Sequence, residues 1–336
     1  LNDLRPISSS RPHVWLIRWL LFFLISLGLG YAAVQRYDPR QTAGLSDTAV
    51  YYRMVAGEPV EARELRFRVL VPYVARFFYV VTRTLFEQPR SVYLALLISN
   101  AIFCATSACL IVAIGLQLKP SPANGMLGAA LYLLNFAVMN LYLPAMVDAG
   151  EACALLAVTV TLLSRRWWLL VIWGALGTLA KETFVPLAAV FSVTWWYVEN
   201  RRSPDRWLRV FPIAAMVLEC VALFFVLRII FAGAPQSIFA ETHASGTGFG
   251  GRLNVFFSLT LWYVFIWLLP LGVLRLKKLP RPWVIASICA AITALALGMY
   301  RDIGGNVARP LFSVLGPMLS LSAATWLNDP FGSPDE

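Results

Sequence analysis

Charge is scarce in this chain. Only 14% of its 336 residues are Asp, Glu, Lys or Arg, where a soluble domain carries roughly 25%. That shortfall excludes an ordinary water-soluble domain. Histidine is limited to His13 and His243, too few and too far apart in the chain for a histidine-based centre. Five cysteines, Cys104, Cys109, Cys153, Cys220 and Cys289, all fall in apolar runs, and none has metal-ligand spacing. They read as small core hydrophobes, not as a disulfide framework or a zinc site. There is no GxSxG, HExxH, Walker A or GxGxxG motif in a fitting context. No ten-residue alternating pattern recurs, which argues against a β-barrel. No internal repeat of the transporter kind is present. Low complexity is confined to "ASGTGFGG" (244–251), which reads as a mobile outer loop able to act as a lid.

What remains is strongly apolar. Hydrophobic residues make up 59% of the chain, and mean hydropathy is +0.68. Several runs reach the ~18 residues that cross a hydrocarbon core of about 30 Å. The expectation is an all-α polytopic membrane protein with about ten transmembrane helices. They fall near 15–34, 91–118, 125–143, 152–164, 167–180, 184–199, 208–232, 255–274, 283–300 and 310–327. The first run lacks a small-residue cleavage site and reads as a retained span. We expect one membrane domain over 1–336, with a first outer loop at 35–90 and a short cytoplasmic tail at 328–336.

The segment 69–88 is interrupted by Arg76 and Arg83 and reads as an amphipathic helix lying in the interface. The net charge of +10 then serves topology and anionic lipid, not nucleic acid. With residues 1–14 inside, the basic stretches "NRRSPDRWLR" (200–209) and "RLKKLPR" (275–281), together with Arg165, Arg166 and Lys119, all lie inside. This is the positive-inside pattern, and it puts both termini in the cytoplasm. His13 and His243 fall on opposite sides. The polar residues that topology leaves unexplained gather on the outer side.

Asp47 and Tyr51 stand four apart in "SDTAVYY" and share a face if that stretch is helical. Asp47 is placed to take a proton from an acceptor hydroxyl, or is an ordinary helix cap. Nine arginines occupy 35–90 against six acids. Some pair with Glu58, Glu61 and Glu64 along a solvated helix. Arg68 and Arg76 sit in apolar surroundings and suit a lipid phosphate better.

"VDAGEAC" puts Asp148 and Glu151 one turn apart, as an acceptor or divalent-cation site or as acids favoured at a helix start. "LAKETFVP" places Lys181 and Glu182 between two short apolar segments, where ionisable residues are functional candidates; a snorkelling lysine beside a loop acid is the plainer account. "YRDIGGNVARP" brackets two glycines with Arg301 and Arg309, fitting a phosphate cradle or a plain connector with Arg301 paired to Asp302. Glu219, mid-span, with Arg228 nine residues on, reads as a structural polar contact. His243 reads as incidental. No metal or cofactor is required by this set, although a divalent cation is an option at Asp148 and Glu151.

The islands "YYRMVAG", "RFRVLVPYVAR", "VDAG", "AKE" and "NVARP", following an acid in the first outer loop, resemble the GT-C-type multispan membrane glycosyltransferases and their bacterial relatives. The resemblance implies transfer of a sugar from a polyprenyl-phosphate or -diphosphate donor at the outer face of the inner membrane, in cell-envelope assembly. It implies that Asp47 activates the acceptor and that Arg68, Lys181 or Arg309 meets the lipid phosphate. It also implies interfacial helices in the first outer loop. Several such relatives carry a paired acid where Asp47 stands alone. Two other readings stand beside it: a transporter or flippase of an anionic lipid or polymer, and a non-enzymatic scaffold subunit.

Overall fold

The computed structural model describes residues 12–36, 46–60, 65–118, 122–144, 146–200, 209–232, 256, 258–301 and 307–329. Among these there is helix and no strand. The helices are α1 (Pro12–Arg36), α2 (Ser46–Ala56), α3 (Leu70–Leu85), α4 (Arg90–Leu118), α5 (Pro122–Leu133), α6 (Asp148–Leu163), α7 (Leu169–Ala180) and α8 (Phe184–Asn200), followed by α9 (Val210–Ala232), α10 (Leu259–Phe265), α11 (Leu268–Val273), α12 (Arg281–Arg301) and α13 (Ala308–Asn328).

Five of them, α1, α4, α9, α12 and α13, are long and apolar enough to cross a membrane. They leave large apolar side chains exposed, among them Leu16, Ile17 and Leu24 on α1, Leu218 and Ile230 on α9, and Ile292 on α12. Water does not tolerate so much contiguous aliphatic surface, whereas lipid does. The chain is an integral membrane protein. α3, at 16 residues, spans only about 24 Å at 1.5 Å per residue and is too short to cross unaided. It exposes Tyr73, Phe77, Val81 and Leu85 along one side.

The core is built around α4, α6 and α13. Every residue of α6 except Val160 is buried. α13 packs against α5, α6, α11 and α12, and α4 packs against α1, α3, α5 and α6. Small residues permit the closest approach. A Cβ on Gly115 of α4 would stand 2.6 Å from the Cα of Gly125 on α5, and one on Gly125 would stand 3.0 Å from Val112 Cα. The five thiols are unpaired, and Cys104, Cys153 and Cys220 are buried.

Two stretches read as continuous spans are broken. In 125–143 the α5 helix stops at Leu133 and a π-helical turn follows at Val138–Tyr142. Asn135 causes the break: its Oδ1 accepts from Ala137 N (2.8 Å) and its Nδ2 donates to Val264 O (3.0 Å). A side chain that bonds backbone competes with the helix ladder. In 255–274 the helix is interrupted at Ile266 and Trp267. Pro270 lacks an N–H for the Ile266 carbonyl, and its ring crowds that carbonyl.

The α4–α5 contact is testable. Gly115→Ala drives a methyl into backbone that has no rotamer to change, which costs about 1–3 kcal/mol. Its melting temperature in detergent should fall, whereas Gly28→Ala on α1, which meets nothing within 4 Å, should melt at or above the parent temperature.

Candidate functional site

Five separate segments bring charge to one end of the bundle. α2 contributes Asp47 and Tyr51, four residues apart on one face. The turn before α3 contributes Arg68. The first turn of α6 carries Asp148 and Glu151, where the helix dipole favours acids. α7 ends at Ala180 and α8 begins at Phe184, so Lys181 and Glu182 lie in the irregular connection, Lys181 with extended backbone. Arg309 sits in the first turn of α13.

Arg68 is the hub of one half. Its Nε and Nη2 donate to Glu182 Oε2 and Oε1 at 2.8 and 2.5 Å, a bidentate pair. Its Nη1 donates to the Tyr51 hydroxyl at 2.6 Å and lies 3.6 Å from Asp47 Oδ2. Burial alone would lower the Arg68 pKa, but Glu182 and Tyr51 more than offset it and hold the guanidinium charged. Burial raises the Tyr51 phenol well above its ordinary value, so it stays protonated.

Lys181 is the hub of the other half. Its Nζ donates to Asp148 Oδ1 at 2.6 Å and lies 3.5 Å from Glu151 Oε2. Thr183 Oγ1 donates to Glu151 Oε1. Arg309 joins the halves, with Nη1 3.6 Å from Asp148 Oδ2 and 3.9 Å from Asp47 Oδ2. Its backbone is held in turn: the Tyr142 hydroxyl donates to Arg309 O at 3.1 Å and shares a 2.7 Å hydrogen bond with Ser313.

A cavity of ≈ 410 Å³ opens against this cluster. Asp47, Arg68, Lys181, Glu182 and Arg309 line its polar end, three cations against two carboxylates. Asp148 and Glu151 do not line it; their side chains are 0% exposed. Asp47, at 28% side-chain exposure, is the accessible acid, against 7% for Glu182. Apart from Thr183, the rest of the wall is apolar. Pro186 and Ala189 come from α8, Val221 and Phe225 from α9, Leu297 from α12 and Pro310 from α13. α9 and α12 each pack on α8, and all three contribute to the cavity wall. Val221 and Phe225 are exposed there. The arrangement can hold an anionic group beside an accessible carboxylate, with an aliphatic body alongside.

Of the nine candidate residues read from the sequence, Asp47, Tyr51, Arg68, Asp148, Glu151, Lys181, Glu182 and Arg309 converge here. Arg301 closes α12, but its side chain lies outside the described residues, as do Asp302, His243 and the loop 244–251. Arg76 is exposed on α3. Asp148 and Glu151 serve as buried partners of Lys181 and Arg309, behind the cavity wall. Among the described residues no group of three or more His, Cys, Asp and Glu has the arrangement of a metal site. Glu219 is half-buried with one carboxylate oxygen unbonded, and Arg228 stacks over Phe67 and Phe224 at 5.0 and 4.6 Å.

Three contributors are not apparent in the sequence reading. Thr183 carries a signal, since a hydroxyl beside a helix start often bonds a neighbour. Tyr142 and Ser313 carry none, because they lie in apolar runs and act through a backbone carbonyl.

Lys181 anchors two buried acids, so removing it strands charge in a site with little water. Lys181→Met should destabilise the protein by about 3–5 kcal/mol, the usual cost of breaking a buried pair from one side. The triple variant Lys181→Met, Asp148→Asn, Glu151→Gln should recover much of that loss. Melting curves in detergent compare the three proteins.

No protein-family model matches this chain, and no curated protein or solved structure is found to be similar to it.

Proposed function

We propose that the chain is a ten-span membrane glycosyltransferase that moves a sugar from a polyprenyl-phosphate-linked donor to an acceptor at the outer face of the membrane. In this reading α5 with the π turn forms one span, α10 with α11 forms another, and α6, α7 and α8 cross as short helices surrounded by protein. α3 lies in the outer interface with Phe77 and Leu85 toward lipid, and both termini are cytoplasmic. The observation that carries the proposal is the composition of the cavity wall, in which charged residues with an accessible acid stand beside apolar side chains from α8, α9 and α12. A phosphate with a long hydrocarbon tail has the matching polarity.

The chemistry follows from the residues at the charged end. The donor's phosphate sits by Arg68 and Arg309, its tail along Val221, Phe225 and Leu297. The acceptor hydroxyl is held near Asp47. The carboxylate takes the hydroxyl proton as the oxygen attacks the anomeric carbon. The bond from that carbon to the phosphate oxygen breaks, and its electron pair stays on the phosphate. Attack opposite the leaving group inverts the anomeric centre. Arg68, Lys181 and Arg309 face the charge that develops on the leaving oxygen. The carboxylic acid of Asp47 then loses its proton to water. Arg68 must share or surrender its bidentate hold on Glu182 to receive the phosphate.

The buried Asp148–Lys181 pair supports a second reading. Buried, paired ionisable groups at helix breaks are also the parts of a coupled transporter.

Native mass spectra of the protein extracted from its own membrane separate these readings. The proposal expects a retained polyprenyl-phosphate species that weakens in Arg309→Ala. It further expects the sugar-bearing donor to accumulate on Asp47→Asn, with turnover reduced about 10²–10⁴-fold, the usual worth of a general base, at an unchanged melting temperature. Bulk phospholipid alone on both proteins, or normal turnover by Asp47→Asn, would remove the assignment.

A further inference from the structure

The same helices carry a second polar cluster at their opposite ends. α6 is 16 residues long, so its last turn lies about 24 Å from Asp148. There the α6–α7 turn and the start of α9 line an open cavity of ≈ 400 Å³, with Arg165, Arg166, Trp167, Trp168 and Arg209 on its wall. Its construction differs from that of the first site. One buried carboxylate, Glu199, receives the indole N–H of Trp195 on Oε2 at 2.8 Å. Its Oε1 lies 3.5 Å from Arg165 Nη2 and 4.0 Å from Arg209 Nη1. The Arg209 guanidinium stands over the Trp167 ring at 5.9 Å. Glu199 thus holds two arginines at the wall.

Arg165 has φ 56°, the left-handed conformation, and among the described residues it is the one non-glycine residue to adopt it. The turn sends the Arg165 side chain to Glu199. Arg166, beside it, is exposed, and its guanidinium meets no partner among the described residues. Trp168, 68% exposed, stands next to it. Arg166 thus presents to the cavity a guanidinium without a partner among the described residues, and exposed tryptophan is the side chain favoured at headgroup depth.

We infer that this cavity binds the phosphodiester headgroup of an anionic phospholipid on the face of the membrane opposite the first site. Arg166 and Arg209 would take the phosphate oxygens, with the Trp168 ring against the glycerol and upper acyl chain. A cluster that only set topology would need the positive charges and nothing more. The buried Glu199, the Trp195 hydrogen bond and the ring under Arg209 go beyond that need and orient the guanidiniums around a space.

The test uses the full chain in detergent, titrated with phosphatidylglycerol or phosphatidylcholine and read by native mass spectrometry. Phosphatidylglycerol should be retained over phosphatidylcholine. Arg166→Gln should weaken phosphatidylglycerol retention about tenfold, the effect of one lost charge-assisted hydrogen bond, and leave phosphatidylcholine unchanged. Arg166 makes no side-chain bond within the described fold, so the variant should melt with the parent. Equal retention of the two lipids, or an Arg166→Gln protein that keeps phosphatidylglycerol, would overturn the inference. Displacement of phosphatidylglycerol from the parent by equimolar inorganic phosphate would also overturn it, because that would mark a soluble-anion site. Loss of the polyprenyl-phosphate species has no bearing on these outcomes.

Discussion

Unpaired charge is intolerable where water is scarce, and that constraint organises this protein. Lys181, Arg68 and Arg309 are each less than 12% exposed at the side chain. Each needs carboxylates, and those carboxylates come from α2, α6 and the α7–α8 connection. No pair is local in sequence: Arg68 to Glu182 spans 114 residues and Lys181 to Asp148 spans 33. The fold is therefore a condition of the site, and the site in turn ties down the ends of helices that apolar packing alone would leave free to slide. Aliphatic contacts between helices in lipid confer little register, since lipid tails offer similar contacts. Directional ion pairs at one end supply it.

Much of this was legible because charge is rare here. In a background with only 14% charged residues, each ionisable residue outside a basic loop stands out. Asp47, Arg68, Asp148, Lys181 and Arg309 announce themselves by being costly. The four-residue spacing of Asp47 and Tyr51 became one helix face, as an α-helix requires. The breaks were harder to read. Asn135 looks like one more residue in an apolar run until its amide meets Val264 from a segment 129 residues away. The apolar half of the cavity was invisible for a related reason. Val221, Phe225 and Leu297 differ in no local way from their lipid-facing neighbours, and only the packing of α9 and α12 on α8 sets them apart. The division of labour among the acids was not legible either. Asp47 and Asp148 look alike in sequence, and burial distinguishes the accessible one.

The two polar ends of the bundle show how the same residue types can be arranged for different tasks. At the first end, carboxylates outnumber cations across the cluster while cations outnumber carboxylates on the cavity wall. The surplus acids are withdrawn behind it, on Lys181 and Arg309. At the second end one acid, Glu199, holds Arg165 and Arg209. An interior counter-charge fixes the geometry of the cations in both places, and the balance at the wall is set by which partners are buried.

The π turn at Val138–Tyr142 has a consequence for the tolerance of this chain to insertion and deletion. A wide turn contains one residue more than an α-helical turn of the same height, and Leu143 N reaches back five residues to Val138 O at 3.0 Å. Loss of one residue within the wide turn would tighten it to ordinary α-helical pitch and shift side chains inside it by about 100° each. The Tyr142 phenol, which holds the Arg309 carbonyl from the end of that turn, depends on its backbone course. Substitutions in that stretch change a side chain, whereas a one-residue gap there moves the backbone that aims Tyr142 at Arg309.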